Sequence, residues 1–283
     1  MSDFPKATFN AGEEIFRKGD PAESMFMITA GGVEIYDPDK SHARIAMLGA
    51  GASFGEQSLL VGGVRGASAR ALKPTECAVI NTTRLREALQ QEKSLLLPGT
   101  EAMLLQLMMV NHLLADLKSM KNPSFELTGI AAELAAENNP FSVGLFLNNV
   151  SNRAKLSTPE LLLLRLIAGA QLASISLGDG QQLVRAGDYP SEGFIVLQGT
   201  VFNTTPEMGA CRLGPGSVIN VAEGVGNVTA RANAVAAGRV LVLRIPIKPL
   251  VLSLANANAG LKGIFRMTMM RILDLSVFSG SRQ

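Results

Sequence analysis

FNAGEEIFRKGDPAESMFMITAGGVEI (residues 9–35) lines up without gaps beside LGDGQQLVRAGDYPSEGFIVLQGTVFN (residues 177–203). At one constant offset Gly12 matches Gly180, Arg17 matches Arg185, and Gly19-Asp20 matches Gly187-Asp188. Phe26 matches Phe194, Gly31 matches Gly199, and Val33 matches Val201. Further on, LGAGASF (residues 48–54) matches LGPGSVI (residues 213–219). One unit is therefore present twice, and a repeat constrains the architecture before any single residue is weighed. Within each copy, short apolar runs alternate with Gly-Asp, Gly-Gly and Asp-Pro breakers. The runs are residues 25–29, 33–36 and 77–80 in the first copy, and 194–197 and 240–245 in the second. Many short strands with closely spaced turn signals predict a small barrel or double-sheet jelly roll.

Helical patterns follow each copy. Residues 83–92 read as helix, and Pro98 opens a longer run, with Thr100 as its expected cap. In that run Met103, Leu107, Val110, Leu114 and Leu117 step by four and three, as in a coiled-coil seam. Leu104, Leu105, Met108 and Leu113 widen the stripe. An apolar face that wide predicts a homodimer, because it is too large to leave in water. Leu261, Phe265, Met269 and Ile272 form a similar stripe after copy two, a competing partner surface. Residues 125–171 read as further helix, broken around Asn138-Asn139-Pro140 and Asn148-Asn149, with Thr158 expected to cap a helix that opens on Pro159. The expected division is 1–98 (first β domain), 99–170 (helical connector and dimerisation helix), 171–255 (second β domain) and 256–283 (C-terminal helix).

The bulk numbers exclude several classes. The 283 residues suffice for two domains, and 47% hydrophobic against 18% charged residues supports packed cores rather than disorder. A net charge of +2 is too small to argue for nucleic acid or an anionic membrane. Cys77 and Cys211 are far apart without a CxxC spacing and read as reduced core thiols. The first ten residues lack a basic-then-apolar leader. The apolar windows are interrupted by Asn111 and His112, by Arg165, and by Arg244 and Lys248, so no membrane helix is expected. The expectation is a soluble cytoplasmic protein. His42 and His112 are isolated, so no metal site is expected. No nucleophile elbow, P-loop or Cys/His pairing is present, which argues against an enzyme.

Chemistry concentrates in FGEQSLLVGGVRGASARA, residues 54–71. Arg65 stands among Gly66, Ala67 and Ser68, whose small side chains let backbone N–H groups approach an anion beside the guanidinium fork. Glu56 accepts hydrogen bonds only and suits a ribose hydroxyl. Phe54-Gly55 sets that acid at a tight corner, and Gln57 and Ser58 open a one-turn helix whose amides add to the anion field. A lone arginine suits a single negative charge, so a ring phosphodiester fits better than a triphosphate.

These residues resemble the phosphate-binding cassette of cyclic nucleotide-binding domains, the family of the catabolite activator protein and of the regulatory subunits of cAMP-dependent protein kinase. The family pattern is Phe-Gly-Glu, a short helix ending in paired aliphatics, then Pro-Arg-x-Ala-Thr/Ser. Phe54, Gly55, Glu56, Leu59, Leu60, Arg65, Ala67 and Ser68 match it, and Val64 replaces the proline. The resemblance covers most of residues 5–121. It implies an α+β fold of two β-barrel or jelly-roll cyclic nucleotide-binding domains, each followed by helices. By that likeness Glu56 holds the ribose 2′-hydroxyl and Arg65 the cyclic phosphate, with backbone at Gly55, Ala67 and Ser68 completing the cradle. Gly66 stands where cGMP-preferring members carry Thr, which favours cAMP and leaves cGMP or a cyclic dinucleotide as alternatives. Asn111, polar within the apolar stripe, is the candidate base reader; otherwise it fixes helix register or faces solvent. Copy two carries Ile219-Asn220-Val221 in place of Phe-Gly-Glu, and its arginine position is expected near Val228 in a segment two residues shorter. It reads as a degenerate domain.

The expectation is a non-catalytic cyclic nucleotide receptor that relays binding by helix movement to an unidentified protein partner. A transcription regulator of the catabolite-activator type is the alternative, with residues 127–156 as its DNA-binding segment. That segment's only basic residues are Arg153 and Lys155, which argues against DNA. A kinase-type regulatory subunit is the third reading.

Overall fold

The computed structural model describes residues 5–39, 41–55, 64–81, 95–169, 172–205, 209–257, 262, 265–266 and 268–273. It is an α+β molecule that divides into two compact units. One comprises residues 1–93 with 258–267, the other residues 94–257 with 268–283. Each is built around a β jelly roll.

In the first unit, two four-stranded antiparallel sheets face each other. One runs β1 (Lys6–Phe9), β8 (Thr75–Asn81), β3 (Ser24–Ala30), β6 (Ser53–Phe54); the other runs β2 (Glu14–Phe16), β7 (Ser68–Ala71), β4 (Gly32–Asp37), β5 (Ala43–Gly49). Period-two alternation points Phe26 and Ile28 of β3, Val33 of β4, Phe54 of β6, Ala69 of β7 and Cys77 of β8 into one shared core. Phe26 stacks on Phe54 at 5.2 Å between ring centres. Gly31 joins β3 to β4 with φ +99, and a Cβ there would lie 2.4 Å from the Thr75 hydroxyl. Its match Gly199 has φ +86 and the same crowding, against backbone at Arg239. The repeated glycine is thus set by positive φ and close approach together.

In the second unit β10 (Ser174–Leu177), β15 (Asn233–Pro246), β12 (Glu192–Thr205), β13 (Gly209–Leu213) and β9 (Ser124–Phe125) form one sheet, with β11 (Gln182–Val184) on β15 and β14 (Val218–Ile219) on β12. The copies share their loop hydrogen bonds. Ile28 N to Ala52 O is repeated by Val196 N to Ser217 O, and Gly12 N to Ala71 O by Gly180 N to Ala236 O.

Helix α1 (Leu96–Lys118) belongs to the second unit and packs on its β sheet and helices. Met103, Leu104, Leu105, Leu107 and Leu113 are all buried. The first half of the stripe that predicted a dimer seam, Met103 and Leu107, is therefore covered within the chain, while Val110, Leu114 and Leu117 stay half-buried. Thr100 is not the cap. Its hydroxyl donates to Leu96 O at 2.6 Å one turn inside the helix. Pro98 fits the first turn because its missing N–H has no intrahelical partner there. Helices α2 (Ile130–Glu137), α3 (Pro140–Asn148), α4 (Val150–Arg153) and α5 (Thr158–Gly169) follow. Asn139 and Asn149 cap α3 and α4 with their side-chain oxygens, and Asn138 takes the left-handed conformation, φ 47. At α5 the cap is Ser157 rather than Thr158, since Glu160 accepts from the Ser157 amide at 2.8 Å. The expected helix at 83–92 lies outside the described residues. Cys77 and Cys211 are buried free thiols. Among the described residues no helix is long and apolar enough to cross a membrane.

Candidate functional site

Arg65 is positioned through its own backbone. Its N–H donates to Asp20 O at 2.8 Å and its carbonyl accepts from Gly19 N at 2.9 Å. The Gly19-Asp20 turn is itself tied by Arg17 N to the Asp20 carboxylate at 2.7 Å. From that anchor the guanidinium folds back into the barrel. It lies 4.1 Å above the Phe16 ring centre and 5.9 Å from that of Phe26. Nη2 donates to Ser24 O at 2.5 Å and Nη1 to Gly55 O at 3.4 Å. The residue is 5% exposed. A cation on an aromatic face, with carbonyl dipoles around it, is stabilised where it sits and keeps a fixed orientation.

Gly55 follows β6 with φ +79, and a Cβ there would meet Arg65 Nη1 at 2.7 Å. Glycine is thus required twice, by conformation and by the guanidinium. Phe54 is buried under Phe26 and builds the floor of the site. Gly66 is exposed with open space over its α-carbon, and Ala67 is half-buried. Ser68 is buried on β7, and its hydroxyl accepts from Lys18 N at 3.0 Å. That hydroxyl ties β7 to the preceding turn. Glu56, Gln57 and Ser58 lie outside the described residues. Asn111 is exposed on α1, which belongs to the other unit.

Sequence reasoning missed Phe16 and Ser24, which hold the guanidinium. A signal was present for Phe16: copy two, which lacks the arginine, carries Val184 there. It also missed a charged network on β4. Glu34, 4% exposed, accepts from Arg70 Nη2 at 2.6 Å and from Arg44 Nε at 2.5 Å. Arg70, then Arg44, hold the Glu34 carboxyl below the ordinary carboxylate range. Tyr36 donates to Glu14, and that bond raises the phenol's pKa.

The register of copy two needs correction. Gly187 N donates to Ala230 O and Ala230 N to Asp188 O, both at 2.8 Å, the same pair of bonds that Gly19, Arg65 and Asp20 make. Ala230, not Val228, stands in the arginine position, and the segment is not shortened. In the run GVGNVTARANAV the large side chain is Arg231, one position past the arginine site, and the small residues around it leave the register open by sequence. Neither Glu56 nor Arg65 has a charged counterpart there, since Val221 and Ala230 take their places.

Residues 6–92 match the family model of the cyclic nucleotide-binding domain. A stretch of 84 residues is 36% identical to a protein of Rhodopseudomonas palustris named for a potassium channel, covering 30% of this chain and 20% of that one. Another of 81 residues is 35% identical to the cyclic AMP receptor protein of Thermus thermophilus, covering 27% and 36%. The matched part is thus well under half the length of either relative. The regulatory subunit of a cAMP-independent protein kinase A from Trypanosoma brucei aligns over 99% of this chain and 79% of its own at 14% identity, with a TM-score of 0.37. That score is too low to assign fold or function by.

Proposed function

We propose that residues 6–92, which belong to the cyclic nucleotide-binding domain family, bind a cyclic nucleotide through Arg65 and pass that event to a protein partner without catalysis. The observation that carries the reading is the buried Arg65 guanidinium held at Gly55, the residue directly before Glu56. A ring phosphodiester entering there exchanges the Ser24 and Gly55 carbonyls for oxygens that carry the opposite charge, adding an ion pair and a bidentate fork to bonds whose donor is already ionised. Release of both carbonyls loosens the corner at Gly55 and re-aims the chain that follows. This supplies the differential contact that a ligand-driven change requires. Glu56 takes the ribose 2′-hydroxyl. The exposed backbone around Gly66 and Ala67, with that of Ser68, completes the cradle. Gly66 offers no hydroxyl to a guanine, so cAMP is preferred over cGMP and over cyclic di-GMP. Copy two binds no cyclic nucleotide, because Val221 and Ala230 supply neither acceptor nor positive charge. A surface suited to a partner is the exposed step of Phe141 and Leu145, one turn apart on α3 and 74% and 58% exposed.

Calorimetric titration of the three nucleotides tests the reading. Binding is expected to be tightest for cAMP and to weaken by at least about 30-fold, roughly 2 kcal/mol, in Arg65→Ala. Equal affinity in the variant contradicts it. The transcription-regulator reading draws on α2 and α3, which place two helices within residues 127–156. Salt-dependent binding to duplex DNA would favour it over a receptor or a kinase-type regulatory subunit.

A further inference from the structure

Copy two holds a pocket of about 200 Å³ whose walls include Val184, Glu192, Phe194, Asn220 and Ala230. In the repeat these are the counterparts of Phe16, Ser24, Phe26, Gly55 and Arg65 in turn. They are the positions of an arginine and of the four groups that surround its guanidinium in copy one. The pocket therefore occupies the place that an arginine side chain fills in the other copy.

We infer that this pocket is a binding site for a guanidinium group supplied from outside the chain, either as a small alkyl-guanidinium compound or as an arginine side chain. The acceptors are in place. Asn220 is 8% exposed, and its carboxamide makes no hydrogen bond to protein among the described residues. Lining the pocket, that amide is free to bond a guest in place of water. Glu192 pairs with Arg244 through both carboxylate oxygens. A carboxylate has about four lone-pair sites, so two bonds to Arg244 leave acceptor capacity on a residue that lines the pocket. Asp188 adds a second carboxylate at the opening, exposed and so screened by water and salt. Arg185 also lines the opening but is exposed, so water and salt screen its charge. Phe194 offers the ring edge or face that Phe26 offers Arg65, and a planar, weakly hydrated cation suits such a mixed wall better than an ammonium does. The substitutions agree with one another. Asn220 keeps a left-handed φ of 62 where Gly55 has +79, and its Cβ is tolerated because no arginine of this copy competes for the space.

The test is a residue-resolved NMR titration of the full chain with methylguanidinium, with methylammonium as the equal-charge control and N-acetyl-arginine methylamide as the polypeptide-like arm. Saturable shifts are expected in residues 183–194 and 220–230, with methylguanidinium at least about five-fold tighter than methylammonium. Tighter binding of the arginine derivative assigns the source to a polypeptide; equal binding assigns it to a small compound. The double variant Asn220→Gly/Ala230→Arg rebuilds the copy-one arrangement and should abolish binding. Ala230→Leu, which fills the space without charge, gives the same readout should the double variant not fold. Absence of saturable shifts, equal response to methylammonium, or unchanged binding in a filled variant overturns the proposal. Because the shifts are read in copy two, failure here is distinct from failure of cyclic nucleotide binding in copy one.

Discussion

Gly55 and Arg65 cannot vary independently. Any side chain at Gly55 must adopt φ near +79 and stand 2.7 Å from the guanidinium. Gly55→Ala is therefore expected to destabilise the first unit by about 1–3 kcal/mol and to weaken cAMP binding, read by urea unfolding and titration of the same protein. An alanine variant with wild-type stability would mean the corner is not held as described. Glu34 carries a separate expectation. Its carboxyl is held below the ordinary range by Arg70 and Arg44, so its stabilisation is present above the unfolded pKa and is lost as pH falls through the folded one. Glu34→Gln should lessen the loss of stability in acid, and an unchanged acid limb would contradict the pairing. At this scale residue type and spacing singled out Glu56 and Arg65; the structure describes Arg65, buried beside Gly55, while Glu56 lies outside the described residues. Ser24 was not, because it meets Arg65 across 41 residues of chain and through a backbone carbonyl, which leaves no mark on residue type.

Elements were legible where the breaker residues are chemically specific. The asparagines at 138, 139 and 149 marked the ends of α2, α3 and α4 because their short amides cap or accept left-handed φ. The stripe on α1 was read correctly as an apolar surface that must be covered. Its periodicity says nothing of what covers it, and over Met103 to Leu107 the cover is the same chain. Polar residues on that helix follow suit. Gln106 accepts from Ala222 N and donates to Glu223 at the start of α6 (Val221–Val225), both at 3.0 Å. Glu101 is 2% exposed beside Arg165 at 3.1 Å, and burial raises its pKa to about 7 against the pull of that arginine. An acid whose folded pKa lies above its unfolded one loses stability as pH rises past the unfolded value. From pH 5 to pH 8 the loss is about 2 kcal/mol. Glu101→Gln should remove that slope, so the variant gains on the parent at pH 8 and much less at pH 5 in urea unfolding. An identical slope in both proteins contradicts the assignment.

For the whole molecule, the repeat carried the architecture because turn glycines and Gly-Asp pairs recur at fixed offsets. It failed only in the arginine segment of copy two, where small residues let the register slide by two positions until the bonds at Ala230 fixed it. The consequence is a stoichiometric expectation: one cyclic nucleotide per chain, from copy one, with a calorimetric value of two counting against the loss of charge at Val221 and Ala230. The central claim is narrower, that Arg65 trades carbonyls for phosphate. A crystal structure of the chain with cAMP tests it most directly. The expected result is Arg65 within about 2.7–2.9 Å of a phosphate oxygen and released from Ser24 O. A complex in which Arg65 still donates to Ser24 O, with the phosphate bound elsewhere or absent at saturating cAMP, contradicts it.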